Sequence, residues 1–95
     1  MLVVQTLTRP LGMLSPAQLR AARALLSWSR QDLATKSGTA AETVQGFEAR
    51  GSDPKLGTVQ KWVRALEEAG VEFIAPTDDK GPGVRLRGKR EGKRK

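Results

Sequence analysis

The chain has 95 residues and contains no cysteine, no histidine and no tyrosine. Without cysteine it can form no disulfide and no thiolate zinc site, and without histidine it lacks the commonest general base and metal ligand. A chain this short buries one modest core and has no room for a deep catalytic cavity. No paired carboxylates and no phosphate-cradling loop stand out among its residues. We therefore predict a protein that is not an enzyme and uses no metal, cofactor or small-molecule substrate.

Long apolar runs are also missing from the sequence. No run approaches the roughly 20 residues that a membrane-spanning helix needs. Residues 1–14 are mildly apolar but lack the cationic start, the continuous apolar stretch and the small-residue cleavage site of a signal peptide. These features predict a cytoplasmic protein without a membrane partner.

Acidic residues are scarce mainly at the end of the chain. The formal net charge is +7, yet residues 85–95 hold seven Lys or Arg and one acid, whereas residues 1–84 hold ten basic and nine acidic residues. The part of the chain expected to fold is therefore nearly neutral. Residues 88–95 have no apolar side chain and are predicted to be a disordered basic tail. This tail either binds phosphates, independently of base sequence, or serves as a solubilising extension.

Capping signals predict where the first three helices begin. In a capping box, two residues three positions apart bond each other's backbone N–H groups at the start of a helix. The boxes lie at Ser15–Gln18, Ser29–Asp32 and Thr39–Glu42. These helices are predicted to end near Ser27, Ser37 and Ala49, and Gly38 supplies the left-handed turn after the second one.

Apolar spacing predicts a fourth helix followed by a hairpin. Apolar residues recur every three or four positions from Leu56 up to Gly70, where the helix ends, and we expect its start near Thr58. Residues 71–75 and 84–87 alternate as strands do and are predicted to pair as a β-hairpin. The predicted domain thus spans residues 15–87. The N-terminal segment, residues 1–14, contains either a short edge strand or a frayed terminus.

The second and third predicted helices carry a family resemblance. The matching residues are Gln31-Asp32-Leu33-Ala34, Gly38, Val44, Phe47-Glu48 and Pro54. They resemble the helix-turn-helix of the Cro/CI-type (XRE-like) transcriptional regulators. The later stretches VRALEEAGVEFI and GPGVRLR resemble small bacterial members in which a hairpin follows the helices. The resemblance implies a mainly α fold class, a four-helix Cro/CI-like helix-turn-helix domain followed by a short β-hairpin. The composition of residues 88–95 adds a disordered basic C-terminal tail to this fold.

The resemblance implies a transcriptional regulator that binds operator DNA as a homodimer, with its third helix in the major groove. The positions that face bases in the family are Ala41, Glu42, Gln45 and Gly46. The positions expected to contact phosphate are Arg30, Thr39, Thr43, Arg50 and Lys55. Among the base-facing residues, Gln45 has the side chain best suited to specific recognition. Glu42 either accepts a hydrogen bond from cytosine or closes the capping box at Thr39.

A second hypothesis assigns the third helix to a protein partner. Its exposed face is predicted to be small and smooth, and related small helix-turn-helix proteins act as antiactivators that bind a transcriptional activator protein instead of DNA. The candidate interaction residues are Ala40, Ala41, Gly46, Phe47, Ala49, Trp62 and Val63. We expect either Trp62 or Val63 to lie on a dimer or partner surface, since one narrow helix stripe does not bury both. Arg20 and Arg23 are predicted on or beside the solvent-facing side of the first helix.

Overall fold

The computed structural model describes residues 14–88. Its elements are α1 (Pro16–Leu26), α2 (Arg30–Ser37), α3 (Ala41–Arg50), α4 (Leu56–Glu68), β1 (Val71–Ile74) and β2 (Gly83–Leu86). This order of four helices and an antiparallel hairpin confirms the predicted fold class. The predictions for residues 1–13 and for the tail beyond residue 88 lie outside the described residues. Within residues 14–88, no helix combines the length and the apolar character needed to cross a membrane.

The first two predicted capping boxes are confirmed, and the third is wrong. Ser15 caps α1 with Gln18, and Ser29 caps α2 with Asp32. The N-cap of α3 is instead Ala40, which makes no side-chain hydrogen bond. A capping hydroxyl at Thr39 would have to turn toward α3, but this one is bonded elsewhere. The start of α3 therefore lacks the side-chain cap that the local pattern predicted.

The hydroxyl of Thr39 ties the turn between α2 and α3 to the core. Its Oγ1 accepts a hydrogen bond from the indole Nε1 of the fully buried Trp62 at 3.0 Å. A second hydrogen bond of 2.9 Å joins it to the hydroxyl of Ser37. Gly38 lies between Ser37 and Thr39 and has a φ of +73°, as predicted for the left-handed end of α2. The turn is thus held by a side chain of α4 as well as by its own backbone.

One apolar core joins the four helices and the hairpin. Its buried residues are Leu19, Ala22, Leu33, Ala34, Val44, Phe47, Val59, Trp62, Val63, Ala65, Leu66, Val71 and Phe73. Trp62 and Val63 are both buried, so the expectation that one of them forms an outer surface is wrong. Because α4 packs against α2 and also against β1, its buried stripe is wider than a single helix contact requires. The rings of Phe47 and Trp62 meet inside this core with centroids 5.5 Å apart.

The hairpin packs on α1 and α4, and its two strands pair in an antiparallel register. Phe73 pairs with Val84, and Glu72 pairs with Arg85 across the two strands. The side-chain amide of the buried Gln18 donates to the carbonyl oxygen of Gly83 at 3.3 Å, which links α1 to β2. The hairpin therefore covers one side of the helical array.

The hydrogen bond from Trp62 to Thr39 predicts a stability difference. In Thr39→Val the indole N–H remains buried without an acceptor, which should lower the free energy of unfolding by about 1–3 kcal/mol. Thr39→Ser keeps the hydroxyl and should lose much less. Urea denaturation followed by tryptophan fluorescence measures both variants. Equal losses in the two variants would contradict a role for the hydroxyl.

Candidate functional site

A buried carboxylate joins α1, α2 and α3. The side chain of Glu48 is fully buried, and both of its oxygens accept hydrogen bonds of 2.7 Å from the guanidinium of Arg23. The Nε of Arg30 donates to the same carboxylate at 3.0 Å. Arg23 was predicted on or beside the solvent-facing side of α1, and its side chain, only 15% exposed, instead turns toward Glu48. Three helices therefore meet at a single charge.

The charged form of Glu48 is favoured despite its burial. Burial by itself raises the pKa of a carboxyl group, but the hydrogen bonds and charges of Arg23 and Arg30 outweigh it and hold the pKa of Glu48 below its usual value of 4.5. Further donors bind the surrounding backbone. Arg20 donates to the carbonyl oxygen of Glu48 at 2.9 Å, and Arg23 donates to that of Trp28 at 2.8 Å. The first contact fixes the last turn of α3 against α1, and the second ties α1 to the segment that precedes α2.

The sequence contains a signal for this cluster that the prediction did not use. Glu48 follows the buried Val44 by four positions, so it lies on the core-facing side of α3. A carboxylate at such a position needs a cationic partner, because an unpaired buried charge is strongly unfavourable. Arg23 lies 25 residues earlier in the chain. Only the packing of α1 against α3 identifies it as that partner.

The predicted phosphate-contacting residues are in different environments. Arg30 begins α2 and keeps 39% of its side chain exposed while Glu48 holds its Nε. Arg50 and Lys55 are exposed at the end of α3 and the start of α4, and Thr43 is half-buried. The hydroxyl of Thr39 is bonded to Trp62 and Ser37. Among the predicted phosphate-contacting residues, Arg30, Arg50 and Lys55 are therefore the cations that reach the surface.

The predicted base-facing residues are not all exposed. Glu42 and Gln45 are exposed on α3, whereas Ala41 is half-buried against the core. Gly46 is buried, so its expected exposure is wrong. A Cβ atom at Gly46 would lie 3.0 Å from Nη2 of Arg50 and 3.1 Å from Oγ of Ser52. The side chain of Arg50 thus covers the position that was expected to face a base.

The predicted protein-interaction face is smaller than expected. Gly46 is buried, so its assignment to the exposed face is wrong, and the candidate residues Phe47, Trp62 and Val63 are buried as well. Phe47 is withdrawn because its ring packs against Trp62. Ala40 and Ala49 are exposed, and Ala41 is half-buried. Of the proposed interaction residues, only Ala40 and Ala49 are therefore exposed.

A shallow, open cavity of about 220 Å³ lies beside α2 and α4. It is lined by Trp28, Lys36, Ala65, Glu68 and Ala69. The ammonium of Lys36 lies 5.8 Å from the centre of the Trp28 ring, a cation–π contact. Trp28 itself packs at the edge of the core. Across residues 14–88, no group of three or more acidic, His or Cys side chains is placed to hold a metal ion.

Comparison with known proteins agrees with the helix-turn-helix geometry. The sequence model of the family described as Helix-turn-helix matches residues 19–73. Two curated proteins named Antitoxin HigA1, from the CDC 1551 / Oshkosh and H37Rv strains of Mycobacterium tuberculosis, are each 46% identical to this chain over 39 residues. Each match covers 41% of this chain and 26% of the relative. The chain therefore spans about a quarter of the length of these relatives.

The buried carboxylate predicts a pH-dependent stability. Because the pKa of Glu48 is lower in the folded chain than its usual 4.5, its contribution is fully present above that value and is lost as the pH falls through the folded-state pKa. At neutral pH, Glu48→Gln should lower the free energy of unfolding by about 3 kcal/mol. The difference between the two proteins should shrink in acid, where the wild-type carboxyl is also neutral.

The matched control is Glu72→Gln in the hairpin. Glu72 pairs with Arg85 at 2.6 Å, but their side chains are 45% and 66% exposed. An exposed pair is worth at most about 1 kcal/mol, so this variant should stay near wild type at every pH. Urea unfolding over a range of pH values measures both variants. A loss for Glu48→Gln that does not change with pH would contradict the assignment.

Proposed function

The chain belongs to the XRE-type helix-turn-helix family, and we propose that it is a transcriptional regulator that binds operator DNA through α3. The observation that carries this proposal is the cluster around Glu48, which fixes α3 to α1 and holds the exposed cation Arg30 at the start of α2. Recognition of a base sequence requires α3 and Arg30 to be held in a fixed relation, because phosphate contacts set the position from which the helix meets the bases.

Arg30 is the phosphate-contacting residue in this proposal. The Nε of Arg30 donates to Glu48, and this hydrogen bond fixes the orientation of the partly exposed guanidinium and its two terminal nitrogens. A planar guanidinium held in this way suits a phosphate oxygen. Lys55 is exposed at the start of α4, and Thr43 is half-buried on α3. We propose that both add phosphate contacts around the same face.

Gln45 is the proposed base contact. Its side chain is exposed on α3, one position after the buried Val44. A glutamine amide donates to and accepts from the N7 and N6 groups of adenine in the major groove. Glu42 is exposed in the first turn of α3, where its charge also favours the helix dipole. In this proposal a homodimer places two copies of α3 on two half-sites.

A protein partner is the second candidate, and the name of the two relatives favours it. Antitoxins act against a toxin, so a comparable role here would require a toxin protein as partner. The antiactivator hypothesis requires a transcriptional activator instead. Of the surface predicted for such an activator, the exposed residues are Ala40 and Ala49. Absence of any sequence preference in the DNA titrations below would favour this candidate over operator binding.

Arg30→Ala should weaken binding to every DNA sequence. The lost phosphate contact carries no base information, so the slope of log binding constant against log salt concentration should fall by about one. Fluorescence titrations measure this salt dependence with two DNAs, the promoter next to the gene that encodes this chain and an unrelated sequence, each over a range of salt concentrations. Lys61→Ala, which removes an exposed cation of α4, is the charge-matched control. An equal effect of the two variants would contradict the assignment of Arg30.

Gln45→Ala should relax specificity at one base pair. The variant loses a base contact and keeps the phosphate contacts, so binding to the best site should weaken while binding to unrelated DNA stays unchanged. The expected loss of discrimination at that base pair corresponds to about 1–3 kcal/mol. Titrations with single-base-pair variants of the best site locate the position. A uniform loss over all sequences would contradict base contact by Gln45.

A further inference from the structure

The outward face of α3 contains a glycine that is nevertheless buried. Val44, Phe47 and Glu48 of this helix are buried, and at about 100° per residue Gly46 points away from their common direction. A residue on that side should be exposed, as Glu42 and Gln45 are. Its burial must therefore come from something that lies on the outside of the helix.

The cover over Gly46 is the side chain of Arg50. Arg50 follows by four positions, and helical side chains lean toward the preceding turn, so the guanidinium extends back along the outer face. An added Cβ at Gly46 would be 3.0 Å from Nη2 and 3.9 Å from Cζ of Arg50. The backbone N–H of Ser52 bonds the carbonyl oxygen of Gly46 at 3.3 Å and brings the Ser52 hydroxyl to the same place. A larger residue at position 46 would occupy the space of the guanidinium.

This guanidinium differs from the other arginines near α3 in its partners. Arg20, Arg23 and Arg30 all donate to atoms of Glu48. Over the part of the chain that the structure describes, the guanidinium of Arg50 makes no hydrogen bond or ion pair. Its N–H donors are therefore available to a ligand on the outer face of α3.

We propose that Arg50 contacts a guanine base through the space left by Gly46, an inference that rests on the proposed binding of DNA by α3. The family resemblance implied a phosphate contact for Arg50 and a base contact for position 46. The structure places the guanidinium of Arg50 over position 46, on the face that also presents Gln45 and Glu42. A guanidinium donates two parallel hydrogen bonds to O6 and N7 of guanine in the major groove. Gly46 is then a positioning residue for Arg50.

The test compares four variants on one panel of double-stranded DNA. The panel contains the site that wild-type protein selects from a random pool, together with every single-base-pair variant of that site. Arg50→Ala should lose about tenfold to a hundredfold discrimination at one G·C pair and keep its preferences elsewhere. Arg50→Lys keeps the charge without the two-pronged geometry, so it should lose the same preference while retaining its binding to unrelated DNA.

Gly46→Ala separates recognition from stability. Its methyl group would lie 3.0 Å from Nη2 of Arg50, so the guanidinium must move by a few tenths of an ångström. This shift misaligns its two donors and should reduce discrimination at the same G·C pair. The thermal midpoint of the variant should stay equal or rise, because alanine favours a helix more than glycine does. Gly57→Ala is the matched control, since a Cβ in that helix would meet nothing within 4 Å. It should leave every base preference unchanged.

The outcomes separate this inference from the proposed function. Equal weakening of all sequences by Arg50→Ala would make Arg50 a phosphate contact and overturn the inference. Unchanged discrimination in Gly46→Ala would overturn the positioning role of the glycine. A wild-type protein that selects no site would overturn operator binding and this inference together. A selected site with a G·C preference that is lost in Arg50→Ala, Arg50→Lys and Gly46→Ala would support it.

Discussion

The geometry of the helix-turn-helix depends on one buried negative charge. Glu48 lies on the inner side of α3, where its desolvation is unfavourable unless cations surround it. Arg23 supplies a two-point contact from α1, and Arg30 supplies a third hydrogen bond from α2. An apolar residue at this position would bury surface without preferring one angle between the helices. The directed hydrogen bonds to Glu48 instead select one arrangement of all three.

The helices could be predicted from sequence because their start signals are local. Ser15 and Ser29 find their capping partners three residues later, and the structure contains both boxes. Thr39 carries the same local signal, but its hydroxyl bonds the indole of Trp62, 23 residues away. No short pattern contains that competing partner. Local capping signals thus predict the helix starts at Ser15 and Ser29. They fail at Thr39, where a tertiary hydrogen bond replaces the local one.

The candidate site was harder to predict, because exposure depends on what covers each position. Spacing along α3 places Gly46 on the outside, and this is correct for the backbone. Its burial follows from the length of the Arg50 side chain, which reaches back by one turn. The prediction for Trp62 and Val63 was wrong for a related reason. Both α2 and β1 cover α4, whereas the prediction assumed one narrow buried stripe on this helix. Side-chain reach and the number of packed neighbours are tertiary properties.

Net charge is a poor measure of what this motif can bind. A near balance of charges over residues 1–84 argues against affinity for DNA when every charge is counted as if it faced solvent. The charge of Glu48 is buried and bonded to arginines, so it does not present a negative group to a ligand. Arg50 lies along the outer face of α3, with its guanidinium over Gly46. Counting charges along the sequence does not show that a cation covers this glycine. A nearly neutral domain can therefore place positive groups at the few points where a base or phosphate must be contacted. For specific recognition, the position of these groups matters more than the total charge.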